Sequence, residues 1–326
     1  MRGNILTVVE STGRGLHPGT WDAVAAAQCL GGERLVAVVL GDGLDGLEKT
    51  FEARVDELWL AQHPALTEYS AEHHCRALQQ VVDSLKPEWI LVPHTYQGRD
   101  FAPRLAARYG RSLIADCTGL AHDGAEPVFT RPLFQGRLSA RVRAAGAAPH
   151  FVSVQPGCWT AYAGKPQAAT LRVHHVSLEL DAGLPRAKGE APQQSGHRSV
   201  DLTRADAIVA VGRGIGSSTG LEMVRRLADL LGAELAASRP VCDEAWLPIE
   251  RQIGTSGVTV APKLYVAIGI SGAIQHLAGM RGAGTIVAIN KDANAPIFRI
   301  ADVGVVGDLH EIVPALIESL ASRRGD

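Results

Sequence analysis

Short apolar runs alternate with helix-forming stretches along this chain, and that alternation constrains the fold more than any other feature. Asn4–Glu10, Arg34–Leu40, Val55–Leu60 and Trp89–Pro93 are rich in Val, Ile and Leu and too short to be core helices. Between them lie Trp21–Leu30, whose alanines favour a helix, and Glu68–Leu85, where Cys75, Leu78, Val81, Val82 and Leu85 recur at helical spacing. Alternation of this kind predicts an α/β fold, a mainly parallel sheet flanked by helices. The pattern returns in the second half. Ala207–Val211, Glu234–Ala237, Leu264–Ile270, Thr285–Asn290 and Ala301–Val306 read as strands. A helix with Leu221, Val224, Leu227, Ala228 and Leu231 on one face lies among them, and a last helix runs from Leu309 to about Leu320. A length of 326 residues allows two such domains. The expected bounds are 1–190 and 198–326, joined by the polar, aperiodic stretch Leu184–His197.

The middle of the chain is harder to read. Gly98, Arg99 and Asp100 read as a polar turn before a helix beginning at Phe101, with Arg99 and Asp100 as a capping pair. From Val128 the helical pattern disappears, and Val128–Leu133, Ser139–Arg143, Phe151–Val154 and Leu171–Leu180 are expected to extend one sheet edge. The cysteines Cys29, Cys75, Cys117, Cys158 and Cys242 have no metal or redox spacing, so reduced and mostly buried thiols are expected. A net charge of −2 provides no electrostatic basis for nucleic-acid or anionic-membrane binding. No run reaches transmembrane length, and the first residues lack the features of an export signal, which predicts a cytoplasmic protein.

Chemistry concentrates in the second half. In Leu264–Asn290 a strand enters a turn bracketed by Gly269 and Gly272, then a short helix carrying Ile274, Gln275, His276 and Leu277, then a second strand. Polar groups at the carboxyl ends of buried strands are where open α/β sheets bind nucleotides, and the first amides of such a helix suit an anion. The same spacing equally describes a packing turn. Gly212–Gly220 (GRGIGSSTG) follows a strand and opens a helix, yet Ser217 breaks the G-x-G-x-x-G dinucleotide fingerprint. Phosphate binding by Arg213 and the loop amides survives that departure. Arg239, after Ser238, offers a permanent charge and a planar donor set, or else a surface ion pair. The loop Gln252–Gly257 brings the Thr255 and Ser256 hydroxyls, and Asn290 and Asp308 each follow an apolar run that would place them near a ribose or an adenine. No nucleophile elbow, metal-hydrolase motif or carboxylate pair stands out, so no catalytic residue is assigned.

The second half resembles the α subunit of electron transfer flavoproteins, the FixB-type family. The resemblance rests on Gly212-Arg213-Gly214, Ser238-Arg239, Gln252–Gly257, LYVAIGISGAIQH and IVAINKD. It continues through APIF and the ADVGVVGDL run, from about Val200 to Leu320. It implies a Rossmann-like C-terminal domain binding FAD, and a heterodimer with a β subunit that contacts the N-terminal domain. It also implies an electron carrier taking electrons from acyl-CoA or other dehydrogenases, as in fatty acid β-oxidation, and passing them to a membrane quinone reductase. Carried over residue by residue, it implies FAD contacts at Arg213, Ser238, Arg239, Ile253, Gly254, Thr255 and Ser256. Further implied contacts are Ser271, Gly272, Ala273, Ile274, Gln275, His276, Asn290, Asp308 and Leu309. Arg239, Ser256 and His276 would tune the flavin by stabilising the negative charge that reduction places on it. Thr255 and Val258 stand where relatives carry a glutamine and a basic residue. A nicotinamide-dependent oxidoreductase and a nucleotide-binding regulatory subunit are the rival readings.

Overall fold

A computed structural model of the chain describes residues 3–12, 15–134, 138–159, 171–180, 201–254 and 256–324. The described residues form two compact units, one of residues 3–133 and 138–180, the other chiefly of residues 201–324. The stretch Leu184–His197, read as a connector, lies outside the described residues.

The N-terminal unit is built on a seven-stranded sheet in the order Arg172–Ser177, Glu57–Gln62, Leu35–Gly41, Ile5–Val9, Trp89–Pro93, His150–Val154 and Leu113–Cys117. Every neighbouring pair is parallel. Alternate residues of Ile5–Val9 and Leu35–Gly41 enter two separate cores, one on each face. Helices Ala71–Leu85 and Tyr96–Arg108 cover one face and Gly19–Leu30 the other. Burial on both faces explains why these strands read as unbroken apolar runs.

Three expectations are corrected here. The strands after Val128 do not share an edge. Glu126–Leu133 and Leu138–Val142 pair antiparallel in a separate three-stranded sheet with Gly119–Asp123. His150–Val154 lies inside the main sheet, where its apolar residues are covered on both faces, and Arg172–Ser177 forms the opposite edge, where Arg172, His174, His175 and Ser177 meet solvent. Helix Tyr96–Arg108 begins before Phe101, so Gly98, Arg99 and Asp100 are already helical. Its cap is Thr95, whose hydroxyl accepts the Gly98 N–H at 3.0 Å. Asp100 instead pairs with Arg104 at 2.9 Å and accepts the Tyr69 hydroxyl at 3.0 Å. The thiols are free, but only Cys75 and Cys117 are buried; Cys29 is exposed and Cys158 and Cys242 are partly so.

The C-terminal unit carries a five-stranded parallel sheet in the order Glu234–Ala237, Ala207–Val211, Leu264–Ile268, Thr285–Asn290 and Val303–Val306. Helices Leu221–Leu231 and Leu309–Arg324 pack over Val209, Val211, Val266 and Ile268 on one face. The other face, with Ile208, Ala210, Tyr265, Ala267 and Ile286, packs against Leu277, Met280, Ile253 and Ile297. From Ala207–Val211 the chain steps outward to Glu234–Ala237, then returns past its starting strand to Leu264–Ile268. That reversal is a topological switch point, and it opens a crevice beyond the carboxyl ends of the two central strands. Among the described residues no helix is long and apolar enough to cross a membrane.

Candidate functional site

Parallel pairing sends every strand of the C-terminal sheet out at the same edge. The loops that carry the candidate residues therefore meet there. At the switch point, Gly212 donates its N–H to the Ile268 carbonyl at 2.8 Å and Gly214 donates to the Gly269 carbonyl at 3.2 Å. Gly269 and Gly272 hold φ of 63° and 84°, a left-handed backbone that glycine adopts without a Cβ clash. The glycine loop winds through two short 3₁₀ turns, Arg213–Ile215 and Ser218–Gly220, before helix Leu221–Leu231 starts. Arg213, Ser217, Ser218 and Thr219 are exposed along it.

Ser238 is buried directly after Glu234–Ala237 and donates its backbone N–H to the Val211 carbonyl at 3.0 Å. Arg239 opens the five-residue helix Arg239–Asp243 and lies 3.4 Å from Asp243, with its side chain 68% exposed. The ion pair foreseen as its alternative role thus exists, but it leaves most of the guanidinium in solvent. Loop 252–257 is tied to the same edge, since Ile253 donates its N–H to the Ala237 carbonyl at 2.9 Å. Buried Gln252 donates its amide to the Ser256 hydroxyl oxygen at 2.9 Å and so fixes that side chain. Gly254, at φ 141°, packs so closely on the His276 turn that a Cβ there would lie 2.9 Å from the Gln275 carbonyl oxygen. Thr255 lies outside the described residues.

Ser271, Ala273 and Gln275 are exposed on the turn that follows Leu264–Ile268, Ile274 is half-buried, and Gly272 is packed against the backbone of Ile297. The helix here is a single turn, Ile274–Ala278, too short to build the dipole on which an anion site at its start would rely. Asn290 and Asp308 carry structural bonds. The Asn290 amide donates to the Ile270 carbonyl at 2.9 Å while its oxygen accepts the Asp292 N–H at 3.0 Å. Asp308 accepts the His310 N–H at 2.8 Å and so caps the last helix, and the next residue, Leu309, is buried against Gly269. Asn290→Ala is expected to cost about 1–2 kcal/mol in urea unfolding by leaving the Ile270 carbonyl unmatched.

His276 is 6% exposed. Burial holds its imidazole neutral, with a pKa lowered to about 4, and the nearby Ile253 backbone offsets this only in part. Nε2 lies 2.9 Å from the Tyr265 hydroxyl. Nδ1 is buried and makes no hydrogen bond. Among the described residues of this unit it is the one buried side-chain nitrogen or oxygen without a partner. An orphaned polar atom is costly in a native fold unless a ligand or water completes it.

These groups fit a dinucleotide such as FAD. Arg213 and the exposed hydroxyls of its loop suit phosphate oxygens, the packed glycines let backbone approach closely, and His276 offers an unsatisfied ring nitrogen. Sequence reasoning passed over Tyr265 and the amide of Gln252. Tyr265 sits inside an apolar run, and its one distinguishing signal is a hydroxyl in a strand that otherwise has none.

Residues 201–281 match the family model described as the electron transfer flavoprotein FAD-binding domain, and residues 5–181 match that of the electron transfer flavoprotein domain. An electron transfer flavoprotein subunit alpha of Thermoanaerobacterium thermosaccharolyticum is 40% identical, over 89% of this chain and 88% of the relative. The corresponding protein of Bacillus subtilis is 36% identical over 92% of this chain and 91% of its own length. A FixB protein of Azotobacter vinelandii is 36% identical over 99% and 92%.

Proposed function

The chain belongs to the electron transfer flavoprotein α-subunit family, and from that premise we propose how its own residues hold and tune FAD. The function is electron transfer and the cofactor is FAD, held by the C-terminal domain. When bound, FAD supplies the electron storage, so the protein's task is to bind, orient and set the potential. Arg213 and the Ser217–Thr219 hydroxyls bind the pyrophosphate. Ser238, Ile253, Gly254 and Ser256 line one wall, and Ser271, Gly272, Ala273, Ile274, Gln275 and His276 the other. Asn290, Asp308 and Leu309 shape the adenosine end, chiefly by fixing backbone. Arg239, Ser256 and His276 act on the flavin ring. The observation that carries this assignment is the buried, unpartnered Nδ1 of His276 at the edge where these loops converge.

The partner is a β subunit, the donors are acyl-CoA or other dehydrogenases, and the acceptor is a membrane quinone reductase. Co-expression with a β subunit, followed by flavin counting and reductive titration with a dehydrogenase and its substrate, tests this. A coloured complex reduced by the dehydrogenase is expected, and a colourless one would remove the reading. Arg239→Ala should lower the flavin potential by about 1 kcal/mol per electron, the size of one charge interaction in a high-dielectric setting. Its stability should barely change, because the Asp243 pair is an exposed one. An unchanged potential would place Arg239 away from the ring.

A further inference from the structure

We propose that Tyr265 is a positioning residue for the cofactor site: its hydroxyl donates to Nε2 of His276, which fixes the imidazole as the Nδ1–H tautomer and leaves Nδ1–H as a directed, neutral donor. This inference rests on the FAD reading above only for the identity of what Nδ1–H meets.

The geometry begins with the sheet. Tyr265 is fully buried in the central strand Leu264–Ile268, in register with Ile208 on one side and Ile286 on the other. It faces the layer that holds Leu277 and Met280, so its hydroxyl is held by a rigid element. His276 is on the single turn that packs against this face, with the two rings 6.2 Å apart and Nε2 2.9 Å from the hydroxyl. Two arrangements of the protons are possible. If Nε2 carried the proton and donated to Tyr265, the phenol would keep a buried O–H with no acceptor. The bare, buried Nδ1 would then lack a donor as well, since no hydrogen bond reaches it. If Tyr265 donates to Nε2, the phenol O–H and Nε2 are both satisfied, the proton falls on Nδ1 and only that N–H is left for a ligand. Burial reinforces this choice, since it keeps the phenol protonated and the imidazole neutral. The tautomer of a histidine is set by the bond its other nitrogen makes. Here that bond also uses up Nε2, so Nδ1 is the nitrogen left to serve a ligand.

The device supplies a donor without adding a buried charge. It should therefore raise the flavin potential through a hydrogen bond whose direction does not depend on a mobile side chain.

Nitrogen-15 NMR of the histidine-labelled full chain tests this, both FAD-free and in the flavin-loaded complex with its β subunit. In both, His276 should show a protonated Nδ1 and an unprotonated Nε2. Tyr265→Phe should shift the tautomer ratio toward Nε2–H by about fivefold, the effect of one ordinary hydrogen bond. In the loaded complex it should also lower the flavin potential, in the direction of His276→Ala and by less. In a His276→Gln background, Tyr265→Phe should leave the potential unmoved, because no tautomer is left to select. Nε2–H in the FAD-free wild-type chain overturns the proposal without any variant. So does an Nδ1–H tautomer that ignores Tyr265→Phe. A complex that holds no flavin, with the Nδ1–H tautomer intact, supports the positioning role while refuting the cofactor assignment. An Nε2–H tautomer in a complex whose potential still responds to His276→Ala does the reverse.

Discussion

Gly212→Ala is expected to yield a protein that unfolds about 3 kcal/mol more easily and co-purifies with little or no FAD. The backbone angles raise no objection, since Gly212 holds φ −104° and ψ 174°, an extended conformation any residue adopts. Space is the obstacle. A Cβ would lie 2.2 Å from the Gly269 carbonyl oxygen, 2.7 Å from its carbon and 2.8 Å from the Ile270 Cα, and all three are backbone atoms. None can swing aside as a side-chain tip would. Gly212 is bonded to Ile268, and Gly269 donates to Ile289 in the next strand at 2.9 Å. The two loops would have to part at the switch point, and overpacking of a rigid site costs about 1–3 kcal/mol or more. Gly216→Ala is the control. It has φ 81° and nothing within 4 Å of a new Cβ, so it should cost only about 1–2 kcal/mol of backbone strain. Urea unfolding together with flavin absorbance per α chain separates the two variants. If Gly212→Ala keeps its stability and its FAD, the contact between the loops is not what shapes the crevice.

Why some of this was legible beforehand and some was not follows from what each kind of residue encodes. Strands buried on both faces announce themselves as unbroken apolar runs, which is why Ile5–Val9, Leu35–Gly41 and Thr285–Asn290 stand nearly where the pattern puts them. Sheet position is another matter. Nothing local separates His150–Val154, inside the main sheet, from Glu126–Leu133 in the small antiparallel one, because the difference lies in which distant strand pairs with each. In the sequence Gly98 argues for a turn, which hides the start of helix Tyr96–Arg108. In the fold, Gly98 is there for clearance, since a Cβ would lie 2.0 Å from the Pro93 carbonyl oxygen. Likewise chemistry alone marks Asn290 and Asp308 as ligand groups, while in the fold each also closes a local backbone bond. The Tyr265–His276 pair joins residues on different elements, and only the folded register brings the phenol under the imidazole.

Acid should loosen the C-terminal unit through His276, by about 2 kcal/mol at pH 5 and about 3 kcal/mol at the limit. The folded pKa, about 4, lies below the unfolded 6.5, and the group is nearly fully buried. The sign follows from proton uptake. Below pH 6.5 the unfolded chain binds a proton that the folded chain refuses, so stability is complete above pH 6.5. It then declines as pH falls and levels off once the folded imidazole also charges, near pH 4. The gap of about 2.5 pKa units, at 1.36 kcal/mol each, sets the limit. Hydrogen exchange at the amides of Leu264–Ile268, corrected for intrinsic rates and compared at pH 7 and pH 5, reads this directly. Protection there should drop about thirtyfold, the equivalent of 2 kcal/mol. The N-terminal unit cannot serve as a simple comparison. Burial lowers His74, His94 and His150 in the same sense, while Asp22, raised by burial to about 6, contributes stability in the opposite sense as pH falls. No single substitution should flatten its response. In the C-terminal unit one should, since His276 is the buried histidine among its described residues. His276→Gln keeps an acceptor for Tyr265 and has nothing to titrate, so its protection should be nearly equal at the two pH values. If the acid response persists in that variant, the proton is taken up elsewhere and the buried imidazole does not set the acid limit of this fold.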